Sequence, residues 1–71
     1  MVILMIKNHV ENYGTIVDRI IYKNYVLIVC NNNDIYSLLL HNRTTENTQS
    51  MLRCGDIQYI ECKIKDFLKN N

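Results

Sequence analysis

The apolar residues of this chain come in short runs joined by short polar connections, with one longer polar excursion before the last run. Val, Ile, Leu and Tyr concentrate in residues 2–6, 10–22, 25–30, 35–41 and 57–64, separated by polar clusters such as Lys23-Asn24 and Asn31-Asn32-Asn33-Asp34. Short β-branched and aromatic runs between polar clusters read as strands. With short connections and no helical crossover between the strands, antiparallel pairing is implied. Proline is absent and glycine occurs twice, which leaves no flexible linker. With 71 residues, the chain makes one domain.

The runs differ in how they alternate. In residues 10–22, Ile16, Ile20 and Tyr22 fall on one face and Thr15, Val17, Arg19 and Ile21 on the other. Asp18 has the parity of Ile16 and breaks the pattern. Gly14 marks a place where the strand bends or bulges. Lys23-Asn24 has the length of a hairpin turn. Residues 25–30 are apolar without interruption, as in a central strand. Asn31-Asn32-Asn33-Asp34 is a turn, because these side chains bond their own backbone. Tyr36, Leu38 and Leu40 share one face of the next strand. Residues 42–50 are polar and read as a loop, or as one helical turn capped by Thr44 or Thr45. Met51 and Leu52 anchor it, and residues 53–56 make a further turn. A last strand is expected over 57–64, with Gln58, Ile60, Cys62 and Ile64 on one face. The spacing of Ile64, Phe67 and Leu68 allows a short terminal helix.

Composition narrows the function classes. Hydrophobic residues are 48% and charged residues 21% of the chain, a globular rather than a disordered balance. Eight Lys and Arg against seven Asp and Glu give a net charge of +1, so any affinity for a polyanion has to come from local placement of charge. Residues 1–6 are far short of the roughly 20 apolar residues that span a bilayer. No basic residue precedes them and no small-residue cleavage site follows, so a cytoplasmic protein without a membrane partner is expected. Cys30, Cys54 and Cys62 have no CxxC spacing, and with His9 and His41 they read as packing residues rather than metal ligands. Asn42-Arg43-Thr44 fits the glycosylation sequon. Abundant Asn and Ile fit A-T-rich coding, as in a virus or parasite.

A small sheet that must bury one face and hide its edges does so by curling into a barrel. The expected class is all-β: a small antiparallel OB-like barrel of four to five strands, with a short loop or helical turn before the last strand. An SH3-like barrel is the nearest alternative. Gly14-Thr15-Ile16-Val17-Asp18 resembles the opening of S1-like OB domains. Arg53-Cys54-Gly55-Asp56-Ile57-Gln58-Tyr59-Ile60-Glu61 resembles their segment in which Gly-Asp opens a strand. At this length the chain looks most like the bacterial-type translation initiation factor 1 family, over residues 14–61, and more weakly like a small S1-like ribosomal protein family of eukaryotes and archaea. That resemblance implies a module that contacts RNA on the ribosome. Where the initiation factor family carries basic residues before its fourth strand, residues 44–50 are neutral or acidic here.

For chemistry, the sequence offers no phosphate loop, HExxH or nucleophile elbow. Cys54 with His41 is the only nucleophile-and-base pair worth weighing. No enzyme and no cofactor is expected. RNA binding needs aromatic faces for bases and cations for phosphates. Tyr25, Tyr36 and Tyr59 are the candidate faces, and His41, Arg43, Arg53 and Lys63 the candidate donors, with Lys23 in support. The leading expectation is therefore a non-enzymatic module that binds RNA, ribosomal RNA above all. The alternative is a protein-interaction module of viral or parasite type that docks on its partner by edge-strand pairing.

Overall fold

Two tight turns set the register of the sheet. In a computed structural model, which describes residues 11–70, a 3-10 turn at Glu11–Tyr13 leads into β1 (Thr15–Tyr22), β2 (Tyr25–Asn32), β3 (Ile35–Asn42), β4 (Thr48–Cys54) and α1 (Ile57–Asn70). Tyr22 pairs with Tyr25 around Lys23-Asn24, and Asn32 pairs with Ile35 around Asn33-Asp34. Asn33 and Asp34 have φ of 53° and 66°, the left-handed pair that a two-residue hairpin with the right twist requires. Asn31 Oδ1 accepts the Asp34 N–H at 3.0 Å. The strands pair antiparallel in chain order, so β1 and β4 are the two edges among the described residues. Four antiparallel strands in one sheet are the small OB-like class the sequence implies, with α1 as an addition.

The core has two faces. Leu27, Val29 and Leu38 pack with Ile60 and Ile64 of α1 on one side. On the other, Val26, Ile28, Cys30 and Leu39 form a second cluster, joined by Tyr13 and Ile16. β2 is apolar from Val26 to Cys30, where both of its faces are buried. The break in alternation at Asp18 has a physical cause. The β1–β2 register shifts between Ile16 and Asp18, so Val17 is a bulge residue and strand parity inverts across it. Ile16 therefore joins the second cluster while Ile20 packs toward α1, which corrects the expectation that the two share a face. Gly14, at φ 105°, lies against Asn31, whose carbonyl oxygen would be 2.2 Å from an added Cβ.

Two expectations are overturned in the C-terminal third. Residues 57–64 form the first two turns of α1 rather than a strand. Ile57, Ile60, Ile64, Phe67 and Leu68 all pack toward the sheet, a helical spacing that buries more than the alternate set could. Asp56 Oδ1 accepts the Gln58 N–H at 2.9 Å, an N-cap. Gly55-Asp56 thus opens a helix where S1-like domains open a strand. The fourth strand lies instead at Thr48–Cys54, in residues read as loop and turn. Its sequence is mostly polar because it is an edge with few inward positions, Leu52 and Cys54 among them. The expected strand at 2–6, and the role of residues 1–6 as barrel closure or partner contact, lie outside the described residues.

Candidate functional site

The seven residues singled out for RNA do not share one surface. Tyr25 and Tyr36 are half-buried on the α1 side. Tyr25 meets Phe67 edge to face, with ring centroids 5.7 Å apart, and Tyr36 packs against the α1-side core. His41 is only 2% exposed, and its Nδ1 lies 2.7 Å from Thr48 Oγ1. Arg43 is exposed in the β3–β4 loop, its N–H bonded to Asn24 O at 2.8 Å. Arg53 is exposed on β4 between Leu52 and Cys54, so strand alternation turns it away from α1. Only Tyr59 and Lys63 come together. They sit one turn apart on α1, both exposed, with Lys63 Nζ 5.3 Å from the Tyr59 ring centroid, a cation–π contact.

Two concavities shape the α1 side. The first is a groove of about 370 Å³ between β4 and α1. Leu38, Leu52 and Phe67 give it an apolar floor, Met51 forms its lip, and Lys63 and Asp66 stand at its rim. Its form follows from a second bulge. The β3–β4 register pairs Leu38 with Leu52 but Leu39 with Ser50, so Met51 is the extra residue. In a regular strand neighbours point to opposite faces. Here Met51 and Leu52 line the same groove, and Met51 remains 42% exposed. Nothing in the residue spacing announces this groove, because its walls come from β4 and from a helix read as a strand. The one available signal is Met51 itself, a large apolar residue in a polar stretch.

The second concavity lies where the β1–β2 turn meets the β3–β4 loop. Asn42 ties these loops together. Its Oδ1 accepts from Thr44 N, Thr45 N and Asn24 Nδ2 at 2.9, 3.2 and 3.1 Å, and Asn24 Nδ2 also donates to Thr44 Oγ1. The sequon asparagine is thus a structural residue of the fold.

The one nucleophile-and-base pair weighed from the sequence, Cys54 with His41, is not brought together. His41 belongs to the face away from α1, next to Val26 in the register, while Cys54 packs toward α1, so the two are on opposite sides of the sheet. Burial pushes the Cys30 thiol above its ordinary pKa, the opposite of what activates a nucleophile. Among the described residues no group of three or more His, Cys, Asp or Glu is placed to hold a metal ion, and no helix is long and apolar enough to cross a membrane. No protein-family profile, curated protein or solved structure matches the chain.

Proposed function

We infer that this protein is a non-enzymatic interaction module of the cytoplasm that docks an extended segment of a partner protein along β4, with one large apolar side chain of that segment seated in the β4–α1 groove. The observation that carries this reading is the Met51 bulge, which gives an apolar groove a flexible lip beside a strand edge that has no neighbour among the described residues. Strand addition beside a helix divides the work between backbone bonds at the edge and a side-chain pocket that selects. Residues 52–54, past the bulge, supply the regular edge, and the thioether lip adapts to the anchor. Lys63 and Asp66 at the rim favour a segment with a charged residue next to its anchor.

Selection of random peptides on the whole chain tests this. Selected peptides are expected to share an apolar anchor next to a charge, and Met51→Glu is expected to weaken them at least about tenfold, or 1.4 kcal/mol. Binding indifferent to Met51→Glu would end the reading. A second reading, RNA contact by an S1-like module on the ribosome, is supported by the Tyr59–Lys63 pair, since Tyr59 is 46% exposed. It predicts affinity that falls with salt and is weakened by Lys63→Glu.

A further inference from the structure

The concavity at the joined loops has a chemistry of its own, independent of docking at β4. Its volume is about 380 Å³, and Tyr25, Leu40, Asn42, Thr45, Asn47 and Gln49 line it. Pockets for small molecules run from roughly 300 to 1,000 Å³, so this one suits a single small ring system. Every hydrogen-bonding side chain in the lining is uncharged. The walls are fixed in advance. Asn42 N donates to Asn47 O at 2.8 Å, and Asn42 O accepts from Glu46 N at 2.7 Å. Asn42 Oδ1 holds the Thr44 and Thr45 amides. Phe67 stands nearly perpendicular to the Tyr25 ring, at 87°. Within this frame Asn47 and Gln49 are exposed, and each ends in a donor beside an acceptor.

We propose that this pocket receives a purine base of the adenine type. A side-chain amide pairs with the adjacent donor and acceptor on the edge of adenine, and the flat base lies against Tyr25. Preorganised walls lower the entropic cost of binding. The ligand is recognised through its base and not through phosphate. The charges of the joined loops, Lys23, Arg43 and Glu46, do not line the pocket, and Lys23 Nζ lies over the Tyr22 ring. Binding is therefore nearly independent of salt, unlike affinity carried by phosphate contacts.

The test is NMR titration of the labelled full chain with adenosine, with AMP, uridine, glucose and oligoadenylate as separate arms. The side-chain amides of Asn47 and Gln49 and the ring of Tyr25 are expected to shift first. Adenosine and AMP should bind within about threefold of each other from low to physiological salt. Uridine and glucose should bind at least about tenfold more weakly, and so should adenosine to the exposed double variant Asn47→Ala/Gln49→Ala. Retained amide dispersion in that variant shows that it folds. Three results would each overturn the proposal: no movement of Asn47 and Gln49 at millimolar adenosine, equal shifts with uridine or glucose, and oligoadenylate binding without adenosine binding.

Discussion

Replacing Ile60 with alanine removes a side chain with 0% exposure from the contact between α1 and the sheet. Such large-to-small changes cost about 2–5 kcal/mol, the lost transfer energy plus the cavity left behind. A domain of 71 residues has about 4–11 kcal/mol of stability in total. At roughly 4–8 °C per kcal/mol for this size, the melting midpoint should fall by roughly 10–40 °C. The companion variant is Cys62→Asp. On the helix, position 62 faces solvent, and the change should stay within about 0.5 kcal/mol. On a strand alternating through Gln58, Ile60, Cys62 and Ile64, position 62 would share the burial of Ile60, and a carboxylate there would cost several kcal/mol. Thermal and urea unfolding of both variants, followed by far-UV circular dichroism, reads the difference. A Cys62→Asp variant as unstable as Ile60→Ala would refute the docking of α1 through Ile60 and Ile64.

Further outcomes follow from single contacts. Gly14→Ala should destabilise by at least about 1–3 kcal/mol in urea titration, because the added methyl meets the Asn31 backbone and the φ of 105° is unfavourable. Asn42→Ala should cost about 1–3 kcal/mol and loosen both loops together, seen as faster amide exchange at Thr44 and Thr45. The Cys30 thiol is held above its ordinary pKa by burial, so the fold favours its neutral form. That contribution is fully present below the unfolded thiol value of about 8.5 and is lost as pH rises through the folded value. Stability should therefore fall above about pH 8.5, and Cys30→Ala should flatten the slope. In the native protein a thiol reagent should modify exposed Cys62 fastest and half-buried Cys54 more slowly, reaching buried Cys30 only on unfolding.

The sheet was legible in the sequence wherever local chemistry and period agreed. Asn33-Asp34 is a turn because its backbone needs the positive φ that short polar residues accept, whereas at Lys23-Asn24 the two-residue loop imposes the positive φ on Lys23. The uninterrupted apolar run at 25–30 is a central strand because both its faces are covered. Asp18 breaks parity because the bulge lies at Val17, not at Gly14 where a bend or bulge was expected. Residues 57–64 read as a strand although they form a helix, since Ile60 and Ile64 satisfy both a two-residue and a helical period, and only Ile57 and Phe67 extend the helical one. Thr48–Cys54 carries no strand signal because an exposed edge does not need an apolar sequence. The groove could not be read ahead of that helix, as Met51 and Leu52 meet Phe67 only when α1 folds back over the sheet.

Docking at the β4–α1 groove is tested most directly by isotope-filtered NOE spectroscopy of the whole chain with a selected peptide bound. Contacts from the peptide's apolar anchor to the Met51 methyl group, Leu52 and the Phe67 ring, with slowed exchange of β4 amides, are the expected result. Contacts confined to Tyr59 on the exposed side of α1, with Met51, Leu52 and Phe67 unmoved, would contradict it.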